Sequence, residues 1–307
     1  MEKICIKRIL HYLETARTLQ PEPTGVSASI STGYDIRAVI FDVYGTLLVS
    51  TSGDIDEAEF STRHILTALD ECNIEIRTMP PADRARQMLD EYRAQIHRIH
   101  AEKHREGIPW PEIDIREIWQ DVFTTFCPSL VLPADPAHYD TSLFSVLFEL
   151  FSNPVCAMPG LHKTIARLHR SGIPLGLISN AQFYTPIILE YFLTGRFDDS
   201  GTVSHFDTAL CEYSYMHRRA KPDIMLFEAC AKQLQEIYGI HPSTVLYVGN
   251  DMLKDILPAC KAGFKTALFA GDARSLRMRR DDPACNNCTP DYIITSLEQL
   301  NTVTNTA

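Results

Sequence analysis

Apolar positions along this chain recur with two different periods, and the change from one to the other divides it. Ala38-Val-Ile-Phe41 is an unbroken apolar run ending on Asp42, as expected of a strand buried on both faces in a parallel sheet. Similar runs are Pro174–Ile178, Val245–Val248, Thr266–Phe269 and Tyr292–Ile294, with a weaker one around Ala209–Tyr213. Between them, Leu161–Leu168, Phe183–Phe192, Pro222–Tyr238 and Leu253–Ala262 predict helices. Strands separated by helical stretches of this length imply parallel pairing through right-handed crossovers.

From residue 56 to 153 the helical period holds alone. Ile65, Ala68 and Leu69 mark a first helix, and Met88, Leu89, Tyr92, Ile96 and Ile99 a second. A third carries Ile115, Ile118, Trp119, Val122 and Phe126, and a fourth Leu143, Leu147, Leu150 and Phe151. Pro80-Pro81, Pro109-Trp-Pro111 and Pro128 through Pro136 punctuate them. Such an insert does not fit within one sheet and predicts a small all-α domain of its own. Near the start, Ile6, Ile9, Leu10, Leu13 and Ala16 predict an amphipathic helix over Glu2–Leu19. Residues 20–33, rich in Pro, Ser, Thr and Gly, read as a linker. The expected organisation is therefore a helix and linker over 1–36, an α/β core over 37–55 and 154–307, and a helical domain over 56–153. The core is expected to be a three-layer, doubly wound parallel sheet.

Composition narrows the partners. The 307 residues are 45% hydrophobic, enough for a sizeable core, and carry a formal charge of −10 with a pI near 5.5. That balance argues against nucleic acid or an anionic membrane as the main partner. Nine cysteines, an odd number spread over a long chain, do not form a disulfide framework. Cys285-x-x-Cys288 lies in a Pro- and Asn-rich loop and reads as two reduced thiols, since no second pair completes a zinc site. With neither a secretory signal nor a membrane-length apolar run, a reducing cytoplasm is the expected location.

The chemistry begins at Asp42. In open α/β sheets ligands bind beyond the carboxyl ends of the strands, where this carboxylate would sit, with Gly45 turning the backbone three residues later. Alone, Asp42 reads better as a turn-opening residue that accepts backbone N–H bonds. Three later segments change its meaning: Pro174-Leu-Gly-Leu-Ile-Ser-Asn180, Ala220-Lys-Pro-Asp223 and Val245-Leu-Tyr-Val-Gly-Asn-Asp-Met-Leu-Lys-Asp255. With Asp42, Thr46 and Leu47 as the first, these four motifs in order resemble those of the haloacid dehalogenase-like (HAD) hydrolases, over about Arg37 to Leu300. The resemblance implies a core with a helical cap inserted after the first motif. It implies a hydrolase that forms an aspartyl ester on a small anionic substrate. Asp42 would be the nucleophile, and Lys221 would neutralise charge beside it. Tyr44, Thr46, Ser179 and Asn180 would bind substrate. Asp42, Asp251 and Asp255, with Asn250, would hold Mg2+.

Two positions depart from the phosphatase pattern. Tyr44 stands where a second Asp usually protonates the leaving group, and Asn250 where an Asp usually ligates magnesium. A tyrosine hydroxyl is a poor acid at neutral pH, so the leaving group must need little protonation. Asp-x-Tyr-Gly-Thr-Leu also resembles the first motif of the metal-independent L-2-haloacid dehalogenases, whose halide-receiving Arg has no counterpart at Asn73. A phosphohydrolase ranks first, with a dehalogenase-type hydrolase or a catalytically weak binding protein as alternatives. His97, His100 and His104 recur at helical spacing among basic residues, which suits a solvated face, or an anionic substrate if that face meets the pocket.

Overall fold

The computed structural model describes residues 9, 11–14, 19–30, 33–51, 61–77, 80–132, 141–196 and 200–304. Its strands are β1 (Ala38–Phe41), β2 (Leu48–Ser50), β3 (Glu75–Ile76), β4 (Leu130–Val131), β5 (Val155–Ala157), β6 (Leu175–Ser179), β7 (Cys211–Tyr213), β8 (Val245–Gly249), β9 (Lys265–Phe269) and β10 (Tyr292–Ile294). Its main helices are α1 (Thr62–Glu71), α2 (Pro81–Arg105), α3 (Ile115–Phe126), α4 (Thr141–Ser152), α5 (Leu161–Arg170), α6 (Thr185–Thr194), α7 (Met225–Tyr238) and α8 (Leu257–Lys261).

Six strands form one sheet in the order β10-β9-β8-β1-β6-β7, and every neighbouring pair is parallel. β1 is apolar throughout because both of its faces are covered. Val39 and Phe41 join a core with Ile165 and Leu168 of α5 and Ile188 of α6. Ala38 and Ile40 point the other way, against Leu226, Phe227 and Leu234 of α7. The result is a three-layer α/β sandwich with helices on both sides of the sheet. Because β1 lies between β6 and β8, Asp42, Ser179 and Asn250 emerge together at the carboxyl edge.

The helical segment closes on itself: α2 packs on α1 and α3, and α4 packs on α1 and α3. Its centre is aromatic. Tyr92 stacks on Trp119 at 4.6 Å, while Phe144 and Phe148 meet the indole edge-on at 4.6 and 4.9 Å. Such pairs add about 0.5–1.5 kcal/mol each beyond their buried area. The chain leaves the sheet through β2 and returns through β5, paired antiparallel as Val49 with Cys156. β2 is too short to show a period in the sequence, and residues 52–60 lie outside the described set.

Two other expectations shift. Residues 20–30 are docked on the sheet rather than a loose linker. Ser29 exchanges two backbone hydrogen bonds with Ile293, at 2.8 and 2.9 Å, and the Thr24 hydroxyl donates to the Ala270 carbonyl at 2.9 Å. The open edge of β10 has backbone groups that need partners, and polar residues without a periodic pattern supply them. Of the expected N-terminal helix, most lies outside the described residues. Ile9 and Leu13 are buried, and the Tyr12 hydroxyl donates to Glu71 of α1 at 2.7 Å. Among the described residues no helix is long and apolar enough to cross a membrane.

Candidate active site

Asp42 is 5% exposed at the end of β1. Its Oδ1 accepts from Ser179 Oγ, at the end of β6, at 2.9 Å and from Lys221 Nζ at 2.7 Å. Lys221 also donates to Asp255 Oδ1 at 2.6 Å, so one buried ammonium bridges two buried carboxylates. Burial dominates the Asp42 carboxyl and pushes its pKa up to about 6, Lys221 opposing the rise and Asp255 adding to it. Burial also works against the Lys221 charge, but Asp255 and Asp42 outweigh it and hold its pKa above the ordinary value.

The sequence builds this triad with short-range devices. Gly45 has φ +81°, and a Cβ there would lie 2.5 Å from Ser275 Cβ and 2.7 Å from Asn250 Nδ2. Only glycine lets the turn after Asp42 approach the β8 loop so closely. Asn250 fastens the two: its Oδ1 accepts from Thr46 Oγ1 at 3.2 Å, and its Nδ2 donates to the Ser275 carbonyl at 2.6 Å. Asn180 grips the lysine backbone, accepting from Lys221 N at 2.6 Å and donating to the Lys221 carbonyl at 3.3 Å. Asp255 lies in a π-helical turn, Met252–Ile256, where its Oδ2 accepts from the backbone N–H groups of Asn250 and Asp251 at 3.0 and 2.9 Å. π-Bulges of this kind concentrate at functional sites.

The residues predicted from sequence therefore divide. Asp42, Ser179, Lys221 and Asp255 form one hydrogen-bonded cluster, with Asn180 behind the lysine. Tyr44 and Thr46 are buried but face inward. The Tyr44 hydroxyl lies 2.9 Å from Thr185 Oγ1, and burial, then nearby Glu149, raises its pKa far above the ordinary value. Asp251 is engaged elsewhere: Arg279 Nη2 donates to its Oδ2 at 2.6 Å and Arg279 Nε to its Oδ1 at 3.1 Å, while its Oδ1 also caps the N–H groups of Leu253 and Lys254. The expected Mg2+ donor set of Asp42, Asp251, Asp255 and Asn250 does not fit a divalent cation. Arg279 and Lys221 already neutralise two of its carboxylates, and the Asn250 oxygen receives Thr46. Among the described residues no group of three or more His, Cys, Asp or Glu side chains converges to hold a metal.

Sequence reasoning missed Tyr247 and Arg279. The Tyr247 hydroxyl sits 3.0 Å from Asp255 Oδ1, 3.0 Å from the Ile178 carbonyl and 3.2 Å from Lys221 Nζ. Only the strand period could have aimed it at the lysine. Arg279 belongs to a loop with no motif, and no local signal marks it.

A cavity of about 760 Å³ reaches the cluster at Lys221, with Asn180 and Lys254 beside it on the sheet side, while Asp42, Ser179 and Asp255 lie behind its lining. From the helical segment come Tyr92, Arg93, His97, His100, His104 and Trp110. The volume is in the usual range for a small-molecule site. The histidines read from sequence as a solvated face thus border the cavity.

The model of the haloacid dehalogenase-like hydrolase family matches residues 36–263. The chain belongs to this family. No curated protein matches this hydrolase in sequence. Among solved structures, the 2-haloacid dehalogenase from Pseudomonas syringae pv. Tomato DC3000 is 19% identical, with a TM-score of 0.53 over 87% of this chain and 97% of that one. A HAD phosphatase from Thermococcus onnurineus is 17% identical, with a TM-score of 0.46 over 87% and 97%. The L-2-haloacid dehalogenase from Xanthobacter autotrophicus with chloropropionic acid covalently bound is also 17% identical, with a TM-score of 0.43 over 87% and 97%. At these identities the likeness speaks to the fold and not to the substrate.

Proposed function

We propose that this HAD hydrolase attacks a small anionic substrate with Asp42 and passes through an aspartyl ester, without a bound metal. One observation carries the reading: Ser179 and Lys221 both hold Asp42 Oδ1, and Lys221 also lines a cavity of small-molecule size. Oδ2 is then the attacking oxygen. A C–O bond forms as the leaving group departs with its electron pair, and water later cleaves the ester at Asp42 Cγ. The first product is the leaving anion, and the second is the hydroxylated substrate. Lys221 offsets the approach of one anion to another. The helical segment over 56–153 acts as the cap that closes the cavity.

Tyr44 supplies no proton to a leaving group, because its hydroxyl lies against Thr185 and titrates far above neutrality. The leaving group must therefore be a stable anion. A halide on the carbon next to a carboxylate fits this best, because it departs with its electron pair and takes no proton. Acyl phosphates, whose leaving group is a carboxylate, are the second reading. A panel of 2-haloacids, acyl phosphates and phosphate monoesters, each with Mg2+ and with EDTA, tests both. Halide release unaffected by EDTA is expected. Phosphate release that requires Mg2+ would overturn the metal-free site, and no release from any member would overturn the catalytic reading.

A further inference from the structure

Arg93, His97, His100 and His104 are spaced by four, three and four residues, so they form one stripe along α2. All four border the cavity. At about 1.5 Å per residue the stripe runs for roughly 16 Å, longer than one carboxylate or phosphate requires. The two acids of the lining are engaged locally: Glu112 accepts from the Ser214 hydroxyl at 2.8 Å, and Glu149 is buried against Asn153. On the sheet side Asp42 and Asp255 share Lys221 and carry one net negative charge when ionised, which leaves Lys254 as the lining cation outside that cluster. Arg93, His97 and His104 are exposed at the cavity mouth and His100 is half-buried, and in a chain of formal charge −10 such a stripe of donors along a cavity is a recognition feature. Ile96 and Phe148 line the same cavity and offer an apolar stretch for a hydrocarbon spacer.

We infer that the natural substrate is a dianion, with its reactive end at Asp42 and a second carboxylate or phosphate held by the stripe of α2. This rests on the catalytic reading above and adds the class of substrate to it. An imidazole donates an N–H to an anion whether neutral or protonated, so recognition does not depend on one protonation state.

The test compares 2-chloropropionate, a monoanion, with 2-chlorosuccinate, a dianion, in the wild type and in R93M/H97Q/H104Q. The wild type should favour the dianion about tenfold in kcat/KM, mainly through KM, and the triple variant should erase that preference, as expected for lost hydrogen bonds to a charged group. Calorimetry on the Asp42→Asn protein with propionate as monoanion and succinate as dianion separates binding from chemistry. Tighter binding of the dianion there supports the stripe even if the wild type turns over nothing, an outcome that sinks only the catalytic reading. Equal binding of mono- and dianions, or an undiminished preference in a folded triple variant, overturns the inference while leaving Asp42 catalysis standing.

Discussion

Replacing Asp42 with Asn should abolish turnover and at the same time stabilise the protein at neutral pH. The carboxyl is buried and its pKa is raised from 3.8 to about 6. A folded-state pKa above the unfolded one means that wild-type stability is complete below about pH 4 and is lost as pH rises through 6. Two units at about 1.4 kcal/mol each give a loss of about 3 kcal/mol once Asp42 is fully ionised. Asparagine keeps the shape and the hydrogen-bonding capacity toward Ser179 but cannot ionise. Its advantage should therefore be near zero at pH 4, grow between pH 4 and 6, and level off at about 3 kcal/mol above pH 7.

Urea unfolding of both proteins at pH 4.5, 5.5, 6.5 and 7.5 measures this difference directly. A parallel pH–rate profile of the wild type should show kcat/KM falling below about pH 6, because the nucleophile is the ionised form. An Asn variant that is less stable by the same amount at every pH would mean that the Asp42–Lys221 pair is a structural ion pair, not a desolvated nucleophile under strain. Unchanged turnover in that variant would remove Asp42 from the mechanism altogether.

Other perturbations follow from the same contacts. Lys221→Met removes the ammonium shared by two buried carboxylates and should cost about 3–5 kcal/mol of unfolding free energy along with all activity, read by urea titration and product release. Asp255→Asn takes away a charge that raises the Asp42 pKa, so the acid limb of the pH–rate profile should move below 6 while kcat drops; an unmoved limb would show that the two carboxylates do not interact. Gly45→Ala places a Cβ 2.5 Å from Ser275 at φ +81° and should lower stability by about 1–3 kcal/mol, whereas a neutral result would mean the turn can shift. Arg279→Met leaves Asp251 without its bidentate partner, and Mg2+ should then raise the thermal midpoint of the variant but not of the wild type.

How much of this was legible in the sequence depended on whether the cause was local. The strands of the sheet announce themselves because burial on both faces forces unbroken apolar runs, and β1 and β8 were read almost to the residue. β2, β3 and β4 are only two or three residues long, too short for any period to show. The cluster around Asp42 was found because its members fall in four short motifs in order, Asp42 and Ser179 at strand ends, Lys221 before a proline and Asp255 in the turn after β8. The partners that decide its chemistry were not. Arg279 reaches Asp251 across 28 residues, and Thr185 reaches Tyr44 across 141. The histidine stripe was visible as a helical face, but whether that face met water or a cavity depends on how α2 packs on α1 and α3, which spacing alone does not encode.

The two departures from the phosphatase pattern, at residues 44 and 250, form one chemical choice. A leaving group that departs as a stable anion needs no acid, so the position after Val43 is released from titration and can pack against α6 as a tyrosine. On the proposed metal-free reading no divalent cation is needed, and Asp251 instead caps the turn that carries Asp255 and pairs with Arg279. What remains at the reacting end is a single ammonium between two carboxylates, sufficient to hold the nucleophile but a poor attractor of anions. Lys254 lines the cavity beside it, and on the opposite wall Arg93 and the three histidines supply the remaining donors. On the proposed reading, a floor without a metal and a stripe of anion-binding donors on the helical segment belong to the same charge balance. Binding should weaken with ionic strength more steeply for dianions than for monoanions, and equal salt dependence for the two would break the link between floor and wall.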